Sequence, residues 1–160
     1  KNIKIAQRES LMWNTTQQKA IEYGNILHEI LSFVKTKNDV NLAVTKAIEN
    51  GLIIASQKEI VEKTIFEIVN HPDLIAFFTE ENVILNEKTI IQKEGNLIKP
   101  DRMVLTATNE IYLLDYKTGS HQAKYTKQLE NYQDAIEKMG YQVTKKALVY
   151  IGETLEVVNL

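Results

Sequence analysis

The 160-residue chain carries 19 Lys and Arg against 21 Asp and Glu, a formal net charge of −2, with 44% hydrophobic residues and no cysteine. Such a composition describes one globular domain able to bury a core, and its charge offers no bulk attraction for a polyanion, so any nucleic-acid binding must come from a local basic face. Without cysteine, disulfides, thiolate zinc sites, iron–sulfur clusters and a Cys nucleophile are all excluded, and a metal site would have to use oxygen and imidazole.

No apolar run is long enough to cross a bilayer, and the first residues lack a signal peptide's apolar segment. The expectation is a cytoplasmic protein with no membrane partner. The chain opens on Lys1, so it is expected to be a piece of something longer.

In chain order, residues 16 to 80 read as helical. Ala20, Ile21, Gly24, Leu27, Leu31 and Val34 recur at three-and-four spacing, which predicts a helix from about Thr16 to Lys37 with His28 on or beside its buried face. Trp13 precedes it with no assigned place. A second helix is expected from Asp39 to Glu49, stopped by Asn50-Gly51. Ser56 with Glu59 gives a capping-box pattern for a third, which ends near His71 because Pro72 follows. Leu74 to Phe78 is a last short apolar piece.

From residue 82 the period changes to that of strands. ENVILNEKTIIQ, NLIKPDRMVLTA and NEIYLLDYK predict a three-stranded meander turned by KEG and TNE. A helix from about Ala123 to Lys138, closed by Gly140, and two short strands in YQVTKKALVYI and TLEVVNL complete an α/β or α+β order with a mixed sheet.

Charges at the strand ends call for partners. Alternation puts Ile111, Leu113, Asp115 and Lys117 on one face of the third strand, so apolar residues give way to an acid and a base where a cleft can open. With Thr108 opposite Glu110, Asp101 falls opposite Lys117 and diagonal to Asp115, close enough for the two carboxylates to share a cation. A two-residue turn would put Asp101 on the wrong face; Pro100 suits a bulge or an edge. The other reading is a buried ion pair of Asp101 or Asp115 with Lys117 or Arg102.

Pro100-Asp101 followed by Asp115-Tyr116-Lys117 resembles the signature of the PD-(D/E)xK nucleases. Gly24-Asn25-Ile26-Leu27-His28 is similar to the Gly-x-x-x-His helix of the RecB type. Glu87 stands where those nucleases carry a glutamate on the first strand. Asp115-Tyr116-Lys117-Thr118-Gly119 resembles their D-Y-K-T-G string, and Gln128 to Tyr132 their Q-x-x-x-Y helix.

The resemblance runs from about residue 20 to the C-terminus. It implies a restriction-endonuclease-like core at about residues 82–160 behind a helical region at about 16–80, all one domain. The implied whole is the nuclease end of a UvrD/RecB-like helicase working with a second helicase–nuclease subunit in recombinational repair. The absence of cysteine sets aside the iron–sulfur-bearing relatives.

The implied activity is Mg²⁺- or Mn²⁺-dependent hydrolysis of DNA, as an exonuclease on single strands. The implied ligands are His28, Asp101, Asp115 and the backbone carbonyl of Tyr116, with the imidazole favouring Mn²⁺. Lys117 orients a water or stabilises the transition state, and Glu87 binds a second metal or supports the site. Gly24 lets the helix approach the sheet, while Gln128, Tyr132 and Tyr125 hold the catalytic strand and contact DNA.

The alternatives are a stand-alone structure-specific or restriction-type endonuclease, and a non-catalytic DNA-binding or scaffold domain. His71 is expected to be a helix-end residue and His121 a solvated loop residue within reach of phosphate. Lys124, Lys127, Lys138, Lys145 and Lys146 are the local positive charge available for a phosphate backbone.

Overall fold

The computed structural model describes the backbone of residues 17–85, 90–91 and 97–160, and side chains of 22–85 and 99–160. Glu87 and Trp13 lie outside the described residues. Four α-helices are described: α1 (Gln17–Leu31), α2 (Val40–Glu49), α3 (Lys58–Val69) and α4 (Ala123–Lys138). The strands are β1 (Val83–Ile84), β2 (Ile90–Ile91), β3 (Leu97–Ile98), β4 (Arg102–Leu105), β5 (Glu110–Lys117), β6 (Gln142–Ile151) and β7 (Leu155–Asn159). One sheet has the order β1-β4-β5-β6-β7, and β2 and β3 form a separate pair. Among the described strands, β5 and β6 alone run parallel, which requires a crossover, and α4 supplies it. The architecture is thus mixed α/β.

The sheet separates two apolar layers. On one face Val104, Leu114, Tyr116, Ala147 and Val149 meet α1, α2 and α3 through Leu27, Val44 and Ile65. On the other, Met103, Ile111, Leu113 and Leu148 meet α4 through Leu129 and Ile136. Strand alternation sends successive residues of β5 to opposite layers, so both of its faces are apolar, as expected of a strand covered on both sides.

α2 and α4 form where periodicity and punctuation place them. Three helical expectations need correction. α1 stops at Leu31 rather than Lys37, tightening into turns in which Phe33 and Val34 donate to the carbonyls of Ile30 and Leu31 at 3.0 Å. No Gly or Pro marks that end. Ser56 does not cap α3; it lies in a 3₁₀ turn, Ala55–Gln57, where the Gln57 side chain accepts the Ile54 N–H at 2.9 Å. Leu74 to Phe78 contributes a 3₁₀ turn at Ile75–Phe77 rather than a helix.

The meander also differs. β1 pairs with β4 and β4 with β5, all antiparallel, but the Leu97–Ile98 part of the second run pairs with Ile90–Ile91 instead of joining the sheet. Buried Pro100, which has no N–H to donate to a ladder, stands between the two pairings. The β4–β5 turn is longer than expected. Thr106, not Thr108, faces Glu110, donating its N–H to the Glu110 carbonyl at 2.9 Å, and Asn109 takes φ 67° inside the loop. Arg102 therefore pairs with Leu114, and the same register carried one residue back sets Asp101 across from Asp115 rather than Lys117.

Candidate functional site

The C-terminal end of β5 is where α1, α4 and the start of β4 converge. A cleft of about 460 Å³ opens there, lined by Gly24, Asn25 and His28 of α1, by Asp101, by Tyr116 to Ser120, and by Gln122, Tyr125 and Ile151.

Two acids are joined through the backbone. Asp101 donates its N–H to Asp115 Oδ1 at 2.9 Å, and Tyr116 donates its N–H to Asp101 Oδ2 at 2.9 Å. Each carboxylate thus has one oxygen fixed by an amide and one directed elsewhere. Asp101 Oδ1 faces His28 Nε2 at 3.6 Å, and Asp115 Oδ2 faces Lys117 Nζ at 3.6 Å. Asp115 is buried, at 2% exposure. Burial first, and then the neighbouring Asp101 charge, push its carboxyl up to about 7, against the opposing pull of Lys117.

Lys117 is held on three sides. Its ammonium donates to Gln128 Oε1 at 2.9 Å, faces Asp115, and lies 4.5 Å from the Tyr125 ring centroid. Tyr125, Gln128 and Tyr132 share one stripe of α4, and both tyrosines pack on the second core. Burial, followed by the charges of Asp115 and Asp101, pushes the Tyr132 hydroxyl up to about 12. The helix therefore packs on the sheet and, through Gln128 and Tyr125, holds Lys117 at the end of β5.

α1 closes the other wall. A Cβ on Gly24 would stand 2.8 Å from Thr118 Cγ2, so with Thr118 placed as it is glycine alone admits this approach of the helix to the residue after Lys117. One turn on, His28 reaches Asp101 and lies against the Tyr116 ring, with centroids 5.9 Å apart. Gly119, at φ 87°, turns the chain out of β5 over the cleft.

Arg102 overturns part of the ion-pair reading. It is almost wholly buried yet meets no carboxylate among the described residues: Nε donates to the Phe77 carbonyl at 2.9 Å, and the terminal nitrogens to the carbonyls of Leu31 and Lys35 at 3.2 and 3.3 Å. The guanidinium also covers the Phe78 ring at 4.0 Å. Its burial is balanced by carbonyls at the end of α1, just past it, and in the Ile75–Phe77 turn, so its role is to fasten those segments to β4. His121, expected in a solvated loop, is exposed in the loop before α4, and it also stacks on Tyr150 with centroids 3.8 Å apart, its Nε2 3.0 Å from Glu156 Oε2. His71, as expected, ends a helix, its Nδ1 accepting the Asp73 N–H at 3.1 Å.

His28, Asp101 and Lys117 thus line one cleft, with Asp115 buried behind Asp101 and Lys117. Among the described residues, however, no three His, Asp or Glu side chains are already gathered as a metal-binding group. Their donors still suit a hard divalent cation: the oxygens Asp101 Oδ1 and Asp115 Oδ2 are not taken by amides, and a cation would offset the repulsion between the two carboxylates. Such a site can bind an anion beside a cation and orient a water with an ammonium and a carboxylate. No protein-family model matches the chain, and no curated protein matches it in sequence. Among the described residues, no helix is long and apolar enough to cross a membrane.

Proposed function

We propose that the chain is a divalent-metal-dependent nuclease domain of the PD-(D/E)xK type, with a restriction-endonuclease-like sheet, hydrolysing phosphodiesters of single-stranded DNA. The observation that carries this reading is the linkage of Asp101 to buried Asp115 and to the Tyr116 amide through two 2.9 Å backbone bonds, at the wall of an open cleft lined by Asp101, Lys117 and His28. The order β4-β5-α4-β6 and the α4 stripe behind Lys117 agree with it. Work as an exonuclease on strands delivered by a fused helicase, alongside a second helicase–nuclease subunit, belongs to the same proposal.

Asp101, Asp115, His28 and the Tyr116 carbonyl would hold Mg²⁺ or Mn²⁺. When bound, the cation supplies charge neutralisation at the phosphoryl oxygens and makes a water more acidic. The chain's own residues do the rest. Lys117, fixed by Gln128 and the Tyr125 ring, presents a point charge to the attacked phosphoryl group or its water. Asp115, next to that ammonium, fixes its direction. The Gly24 contact keeps α1 close enough to β5 for His28 Nε2 to stand 3.6 Å from Asp101 Oδ1, where both would hold the cation.

A second reading, DNA binding without cleavage, is favoured by one observation: Lys117 and Asp115 already pair with each other. End-labelled single-stranded DNA incubated with Mg²⁺, Mn²⁺ or EDTA separates the two. Cutting that needs metal, is lost in Asp115→Ala, and falls at least about 100-fold in Lys117→Ala with DNA affinity kept supports the nuclease. Equal binding with and without EDTA and no cutting by the folded chain supports the binder.

A further inference from the structure

Beside the cleft is an aromatic group that the proposed chemistry does not use. In the parallel register Lys117 is opposite Tyr150, and in the antiparallel one Tyr150 is opposite Glu156, so the three form one row across β5, β6 and β7. His121 comes down on the middle of that row. Its ring is parallel to Tyr150 within 9° at 3.8 Å, and Nε2 lies 3.0 Å from Glu156, which fixes the ring's rotation. Tyr150 itself is buried, whereas the His121 side chain remains 49% exposed. With Tyr150 covering one face of the imidazole, the exposed area belongs to its outer face and edge.

The stack lies one strand from Lys117, about 5 Å away at ordinary sheet spacing. His121 also sits between Ser120 and Gln122, both of which line the cleft. Tyr125 extends the group, 6.3 Å from Tyr150, and carries the ammoniums of Lys117 and Lys124 at 4.5 and 5.5 Å from its centroid. A rigid, half-open ring face flanked by cations is what a single-stranded nucleic acid requires, because each base offers a π-face and each linkage a negative charge.

We propose that His121, backed by Tyr150 and oriented by Glu156, is a stacking platform for one unpaired nucleobase of the strand whose phosphate enters the cleft. This rests on the nuclease reading and deepens it, since a base held in a duplex could not present its face to the ring. His121 is thus a substrate-binding residue that favours single strands over duplex.

The test uses single-stranded oligonucleotides with one abasic site moved along the strand, read by fluorescence anisotropy in EDTA and by cleavage rate with metal. In the unmodified chain, removing the base at one position beside the cut should weaken binding about 5- to 100-fold, the range for one base–aromatic stack. His121→Ala should lose that factor on intact DNA and become indifferent to the abasic site there, whereas His121→Phe should keep the sensitivity. An abasic penalty of equal size in His121→Ala, or no sensitive position in the unmodified chain, overturns the platform while metal-dependent cutting leaves the nuclease reading intact. Neither binding nor cutting of any DNA overturns both. Melting curves verify folding of the variants, and the abasic scan of the unmodified chain decides the matter even if one variant fails to fold.

Discussion

Asp101 and Asp115 face each other across β4 and β5, the amide of the first donating to a carboxylate oxygen of the second at 2.9 Å. Two acids so placed cannot both be charged cheaply, and the buried one gives way: Asp115 is raised to about 7, by burial and then by Asp101. Because the folded state holds this proton more tightly than the unfolded chain, whose Asp titrates near ~3.9, the folded state binds more protons between those values. Stability from this group is therefore greatest below about pH 4, falls as pH rises to about 7, and is flat above. With EDTA present, the Tm should fall from pH 5 to pH 8. Asp115→Asn, which keeps an acceptor for the Asp101 amide, should flatten the slope and be more stable at pH 8 by on the order of 1–3 kcal/mol. Parallel Tm-against-pH lines for the two proteins would refute this assignment.

The same pair predicts how a cation acts. Mg²⁺ or Mn²⁺ should raise the Tm at pH 8, by about 2.7 kcal/mol of stability at a concentration 100 times Kd, and shrink the fall in Tm between pH 5 and pH 8, because cation and proton compete for Asp115 and the bound cation lowers the pH at which the folded state releases that proton. Asp101→Asn and Asp115→Asn should each abolish the shift. His28→Ala should reduce the Mn²⁺ shift more than the Mg²⁺ shift, since imidazole favours the softer ion. Thermal melts across a cation series are sufficient, and no shift with either ion at millimolar concentration would count against the ligand set.

How much of this was legible depends on the range of each interaction. The common face of Asp115 and Lys117 follows from alternation alone, and Asp101 stayed on that face because the actual register differs from the expected one by an even number of residues. The turn length itself was not legible, being set by Asn109 at positive φ, a local choice with no mark in the hydrophobic pattern. Arg102 stood out as a charge in an apolar run, but its partners are carbonyls 25, 67 and 71 residues away, which every residue type presents alike. The His121 stack depends on the parallel pairing of β5 with β6, whose register shifts at Ile111/Tyr112, and on the hairpin that brings in Glu156. Gly24 was readable as a helix glycine near a histidine, though the atom it makes room for was not.

Arg102 yields a stability prediction separate from the site's chemistry. Replacing it takes a donor from the carbonyls of Phe77, Leu31 and Lys35, of which Leu31 keeps the Val34 N–H. Arg102→Ala should destabilise by roughly 2–5 kcal/mol, at about 1–3 kcal/mol for each carbonyl left unpaired. Arg102→Lys should recover less than half, because one ammonium cannot span three carbonyls placed for a planar fork. Urea unfolding checks this, and a lysine variant as stable as the original would mean that the charge, not the fork, matters.

The approach of α1 to β5 gives the last prediction, and its sign is set by two opposing effects. Alanine at position 24 gains about 1 kcal/mol of helix propensity, yet its Cβ would stand 2.8 Å from Thr118 Cγ2. Either Thr118 rotates or α1 shifts outward, carrying His28 away from Asp101. Stability of Gly24→Ala should thus stay within about 1 kcal/mol of the original, while cation affinity and cleavage drop by at least about 10-fold. Thr118→Ser removes the methyl group and keeps the hydroxyl, so the double variant Gly24→Ala/Thr118→Ser should regain the cation-induced Tm shift and exceed the original in stability. A double-mutant cycle on Tm and cation response reads the coupling directly. Additive effects at the two positions would mean that the helix is not positioned by this contact.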